Sequence, residues 1–282
     1  SQSNNAVTAN ASSHNVILID GKGAPDKGLL NSWGDADAFI ENTLESSVLA
    51  YAESRQTYED TTIVRSVAFV RERYFVVSDH LSSENTEARE YRFRLHAFAG
   101  YDLDGGVTLE SHGPHIQRAD GSLQVFTTST AGNPTIEEPP YIRLQAPHAH
   151  SLIAGEGEGD HTVIDATLTT VTPSFLTILA PYQSNATEGD HAPLSVTPVN
   201  IENGAAWIVR SDTGDEELIW MREDGSPNLL TLPEGATIEL DGRLSIVSLN
   251  KSFGLLSRGT SLTLNGQELI SAGNPQGVQS TP

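Results

Sequence analysis

The sequence predicts an all-β protein, a large antiparallel β-sandwich. Three observations carry that prediction. Apolar runs of about five to eight residues recur along the chain, the spacing of strands rather than helices. One of them, YRFRLHAFAG (91–100), alternates with period two, which sends Tyr91, Phe93, Leu95 and Ala97 to one side and Arg92, Arg94, His96 and Phe98 to the other. The runs are separated by Asp-Gly, Asn-Gly and other polar turns, the strongest short-range hairpin signals.

Taken in order, HNVILID (14–20) is an apolar strand closed by Asp20-Gly21, where glycine permits a tight turn. VLAYAES (48–54) follows, and IVRSVAFVRERYFVVSD (63–79) reads as two strands joined at Arg71-Glu72-Arg73. VTLES (107–111), SLQVFTTST (122–130), HTVIDATLTTV (161–171) and FLTILAPY (175–182) continue the pattern, the last apolar enough for a core strand. Beyond residue 200, AAWIVRS, ELIWMRE, ATIELDGRLSIVSLN and SFGLLSRGTSLTLNGQELI form a tight meander, with turns at Asp241-Gly242 and Asn265-Gly266. The only helical spacing lies in 35–54, where Phe39, Ile40, Leu44 and Val48 follow Asp35 and Asp37; one or two short helical turns are expected there and no more. So many strands exceed an open sheet and predict packed sheets, a supersandwich-like body. The expected division is a main sandwich over 1–200, a smaller antiparallel portion over 201–270 packed on it, and a flexible tail at 271–282.

The chain of 282 residues carries 16 basic and 37 acidic residues, a formal net charge of -21. That field repels nucleic acid and anionic membranes, and no apolar run is long enough to span a bilayer. The absence of cysteine excludes disulfides, a cysteine nucleophile and thiolate metal sites. The opening SQSNNAVTANASSHN has no initiating Met, which fits a processed chain and leads us to expect a secreted or periplasmic protein.

Arg92, Arg94 and His96 share one face of their strand, a cationic strip suited to a uronate or sulfate group; Glu84, Glu87 and Glu90 are nearby acids that could instead pair with it. His148 and His150 fall on one side of an extended segment without a third ligand at a fixed spacing, and His112, His115 and His80 read as turn or strand-end residues. Tyr51, Tyr74, Tyr91 and Tyr101 read chiefly as sheet residues. Asp102, Asp104 and Glu110 give a loop where calcium could bind, although the spacing of a twelve-residue calcium loop is not met. SNAT (184–187) is an acceptor sequon only in a eukaryotic secretory setting.

Three segments carry a family resemblance. SSHNVILIDGKG (12–23), VRSVAFVRERYFVVSDHL (64–81) and YRFRLH (91–96) resemble, in that order, the "HN, apolar strand, DG" signature, the "R-x-V-x-F, turn, Y-x-V-V-x-D" hairpin and the following sheet segment of the heparinase II/III-like polysaccharide lyases. FLTILAP (175–181) is similar to their late sandwich strand. The resemblance implies a two-part enzyme, a helical toroid followed by a β-sandwich, that cleaves uronic-acid-containing chains by β-elimination. It also implies a zinc site in which His14 is one ligand, shared with an upstream GHxD strand. No GHxD occurs here, so the expected catalytic histidine, further ligands and toroid would lie upstream, in the same protein or a companion chain. The first strand should then run beside a gap or another polypeptide. A noncatalytic carbohydrate-binding or structural module is the alternative, and would display Trp33, Trp207 or Trp220 on a sheet face.

Overall fold

The structure, a computed structural model, describes residues 11, 14–25, 38–97, 105–110, 113–118, 121–137, 142–144, 159–183, 194–251, 253–271 and 275–281. They form 23 strands in four antiparallel sheets. The first sheet contains β1 (Ile17–Ile19), β6 (Arg89–Ala97), β12 (Gly159–Thr170) and β10 (Thr135–Glu137) in that order, with β11 (Ile142–Leu144) also on β12. The second is eight-stranded, ordered β2 (Phe39–Glu45), β3 (Leu49–Tyr58), β4 (Thr61–Val70), β5 (Tyr74–Ser83), β13 (Phe175–Tyr182), β9 (Ser122–Ser129), β8 (Gly113–Gln117) and β7 (Gly106–Glu110). A six-stranded sheet follows: β14 (Ser195–Val199), β15 (Gly204–Arg210), β16 (Glu216–Arg222), β19 (Leu244–Ser248), β20 (Gly254–Ser257) and β23 (Val278–Ser280). The last has four: β17 (Asn228–Thr231), β18 (Thr237–Leu240), β21 (Leu262–Leu264) and β22 (Gln267–Ile270).

Three apolar cores stack these sheets as layers. Ile17, Tyr91, Phe93 and Ile164 of the first sheet pack on Ile63, Val77 and Phe175 of the second. The second sheet's opposite face, with Ala68, Val76, Phe126 and Ile178, packs on Trp207, Ile219 and Ile246 of the third. Ile208, Leu218, Trp220 and Leu256 of the third cover Ile238, Leu240 and Leu262 of the fourth. The two middle sheets are therefore covered on both faces, which accounts for the unbroken apolar runs of β15 and β16. Burying so much apolar surface without a disulfide is what holds the stack together.

The limit of at most one or two helical turns in 35–54 holds: β2 and β3 occupy 39–45 and 49–58, and no α-helix occurs among the described residues. A bulge between Ile40 and Asn42 breaks the alternation of β2, so its apolar residues fall at a misleading spacing. Val278–Ser280 form β23, which pairs with β20 through Leu255 to Ser257. The six-stranded sheet begins at β14, ahead of residue 200.

Candidate functional site

The three motif-bearing segments meet around β1. Its backbone pairs with β6, Ile17 opposite Phe93 and Ile19 opposite Tyr91. Asn15 secures the strand's start twice: its Oδ1 accepts from the His96 N–H at 2.8 Å, and its carbonyl accepts from Arg65 Nη1 at 2.8 Å. Arg65 grips Asp79, opposite it in the β4–β5 hairpin, through two hydrogen bonds of 2.6 and 3.0 Å. Burial opposes the arginine's charge, but Asp79 more than compensates and raises its pKa. The Arg65 guanidinium also lies 5.9 Å from the Phe93 ring centroid. Burial, reinforced by Asp79, pushes up the pKa of Tyr58, whose hydroxyl donates to the Ile17 carbonyl.

Asp20 secures the other end of β1. In the left-handed region at φ 50°, it precedes Gly21 at 77°, a turn that suits Asp-Gly. Its carboxylate accepts from Arg89 Nε at 2.7 Å and from the Glu90 N–H at 3.0 Å. These bonds, the arginine's first, lower its pKa. Thus "HN", "DG" and the Arg/Asp pair of the hairpin form one scaffold. β1 ends its sheet, its outer side bridged at Ile19 to Lys22 by the chain's own turn, and Ile17, Leu18 and Ile19 are all buried.

The outer face of this sheet presents Arg92, Arg94 and His96, as alternation requires. Arg94 makes two 2.7 Å hydrogen bonds to Asp165, its neighbour across β12. Arg92 donates to Glu90 at 2.7 Å and approaches Asp165 at 3.6 Å. Of the acids expected to pair with the strip, Glu90 does; Asp165 supplies a further carboxylate from 71 residues beyond Arg94. Arg92 and His96 remain half-buried, while Arg94 is buried.

His14 is exposed at the start of β1. Among the described residues no three His, Asp or Glu side chains come together as metal ligands, so His14 can supply one donor of the four that zinc normally requires. His112, His148, His150, Trp33, Tyr101, Asp102, Asp104 and the SNAT segment lie outside the described residues. Trp207 and Trp220 are buried, so neither is exposed on a sheet face.

Two arrangements escaped the sequence reading. In the seam between the eight- and six-stranded sheets, buried Glu53 accepts from Arg258 at 2.6 Å, Asn42 at 2.7 Å and Tyr51 at 2.9 Å. Burial works against the carboxylate's charge, but Arg258 and then Asn42 lower its pKa overall. His80, beside Ser174 in this seam, has its pKa lowered to about 4, first by burial and then by Arg243 and Arg258. Farther along the seam, Arg71 donates to buried Glu217 at 2.7 Å. Elsewhere, Tyr182 Oη and His115 Nε2 form a 2.7 Å hydrogen bond at the mouth of a cleft. Their strands are far apart in sequence, and only the β8–β9–β13 pairing joins them.

Comparison with known proteins follows the same segments. Residues 1–165 match the family described as "Heparinase II/III-like, C-terminal". No curated protein matches the chain. Among solved structures, a heparinase III superposes with a TM-score of 0.54 at 14% identity over 79% of this chain and 32% of its own. A heparinase III gene product with methylated lysines gives 0.53 at 14% over 76% and 30%. A mutant of the heparan sulfate lyase HepC from Pedobacter heparinus gives 0.51 at 13% over 83% and 30%. The chain thus spans about a third of the length of these structures, which share its fold. The family match covers more than half the chain and includes the whole β1 scaffold: the chain belongs to the heparinase II/III-like family, in its C-terminal region.

Proposed function

We propose that this chain is the C-terminal β-sandwich part of a polysaccharide lyase that cleaves uronic-acid-containing glycans by β-elimination. Its catalytic toroid and GHxD strand would lie upstream, in the same protein or a companion chain. The observation that carries the reading is the meeting of the three family segments in the scaffold around β1. Solved structures with this fold are named as heparinase III and heparan sulfate lyase. On the outer side of β1 the Ile17 carbonyl is held by Tyr58 and Ile19 by Lys22; an upstream segment is proposed to pack beside this edge strand.

In β-elimination a base takes the proton at C5 of the uronate, a C4–C5 double bond forms, and the C4 oxygen leaves with a proton. Neutralising the carboxylate acidifies C5 and stabilises the charge that develops. Half-buried Arg92 and His96 are this chain's proposed contacts to that carboxylate. Arg94, engaged by Asp165, is a positioning residue that fixes the strip. Zinc would take His14 as one donor with the remainder from outside this chain, and a secreted or periplasmic setting would give access to the polymer.

The test is to incubate the full-length protein with heparan sulfate, heparin, chondroitin and alginate and follow ultraviolet absorbance of the C4–C5 unsaturated product. Activity in the full-length protein and a several-fold rise in KM for Arg92→Ala are expected. Absence of unsaturated product from all four polymers would overturn the reading.

A further inference from the structure

A cleft of about 600 Å³ opens at the edge between the eight- and six-stranded sheets, with Ile136 of β10 also in its wall. Its volume lies within the range of small-molecule sites. Local backbone geometry shapes its wall: Gly113 begins β8 at φ 142°, and a Cβ there would stand 2.2 Å from the Val125 carbonyl oxygen, so only glycine allows this close approach to β9.

The lining combines a flat aromatic platform with neutral polar groups. The rings of His115 and Tyr182 are stacked, 10° from parallel with centroids 6.0 Å apart, and joined by their 2.7 Å hydrogen bond. Gln124 and Asn133 add amides, each able to donate and accept. Trp207 also lines the cleft, and its buried Nε1 has no hydrogen-bond partner among the described residues. An unpartnered buried donor is costly and marks a place where a ligand or water can bind. Among the described residues no Lys or Arg lines the cleft. The one carboxylate among the described lining residues, Glu110, approaches His115 Nδ1 at 4.0 Å, an attractive contact when the imidazole is protonated.

We propose that this cleft binds an uncharged sugar residue, with its ring against the His115/Tyr182 platform and its hydroxyls shared among His115, Tyr182, Gln124 and Asn133. Aromatic faces suit the C–H surface of a sugar ring, while paired donors and acceptors suit hydroxyls, which do both. Glu110, with no Lys or Arg among the described lining residues to offset it, disfavours a uronate or sulfated unit. The proposal does not rest on the β-elimination reading: the lining comes from β7, β8, β9, β10, β13, β14 and β15 and contains neither Arg92 nor His96.

Isothermal titration of the full-length protein with cellohexaose, mannohexaose and the N-acetylated chitohexaose tests it. At least one should bind, and Tyr182→Ala and His115→Ala should each weaken that binding about tenfold, or roughly 1.4 kcal/mol. Tyr182→Phe, which removes only the hydroxyl and keeps the ring, should weaken it less and guards against loss of folding by the alanine variant. Lyase activity on uronate polymers should be unchanged in the Tyr182 variants. Failure of all three oligosaccharides to bind, unaltered affinity in folded Tyr182→Ala, or equal binding of a hexuronate oligomer would each overturn the assignment.

Discussion

The outer face of the five-stranded sheet and the seam between the eight- and six-stranded sheets both set arginine against buried carboxylate, but they fasten different things. On the outer face, Arg94 and Asp165 are register neighbours on β6 and β12, and Arg92 stands beside them. Their bonds reinforce pairing that the backbone already makes. In the seam, Arg258 reaches Glu53 across 205 residues and between layers, while Tyr51 and Ser257 bridge the same gap at 3.0 Å. No backbone ladder joins these two sheets. Packing, this polar cluster and ion pairs such as Arg71–Glu217 set how one sits on the other, so the seam should be the less forgiving of the two.

Removing the seam's guanidinium is the most severe test of that contrast. Arg258→Ala leaves Glu53 buried beside a cavity and is expected to cost about 3–5 kcal/mol in urea unfolding; a loss below about 1 kcal/mol would show that packing alone locks the layers. Next comes acid. His80 has a folded pKa of about 4, below its unfolded value of about 6.5, so the unfolded chain binds the proton more readily between them. The resulting stability is present above about pH 6.5 and lost as pH falls through about 4, up to about 3 kcal/mol. Unfolding measured against pH should therefore be flatter over that window for His80→Gln than for the parent protein; parallel curves would remove His80 from the seam's account. On the outer face, Arg94→Ala should cost about 2 kcal/mol, since Arg92 still faces Asp165. The paired change Arg94→Met with Asp165→Leu should recover most of it, as read by thermal unfolding, and no recovery would make the pair more than a local brace. Lys22→Ala at the exposed contact with Glu59 should change stability by less than about 0.5 kcal/mol.

Wherever structure depends on neighbours along the chain, it was legible in the sequence. The alternation of β6 placed Tyr91 and Phe93 inside and Arg92, Arg94 and His96 outside, and the Asn265-Gly266 hairpin has both residues at positive φ. The Arg71-Glu72 joint was legible as a turn even without glycine; its residues adopt φ of 48° and 55°. Partners brought together by topology were not legible. Asp165 reaches Arg94 only because β12 lies beside β6, and Tyr182 reaches His115 only because β13 and β8 flank β9. At the bulge in β2, one added residue turned a strand pattern into an apparent helical one.

The seam also bears on the chain's birth at the ribosome. Strands β2 to β5 emerge early, with Ala68, Val70 and Val76 on a face whose cover begins only at β14, and Glu53 emerges long before Arg258. For the time it takes to synthesise more than a hundred residues, the nascent eight-stranded sheet has a greasy side and an uncompensated carboxylate, which invite premature association. Growth temperature and translation speed would then set the yield of native protein as much as the strength of its finished cores, and a cut between β13 and β14 should produce an aggregating piece rather than two soluble halves.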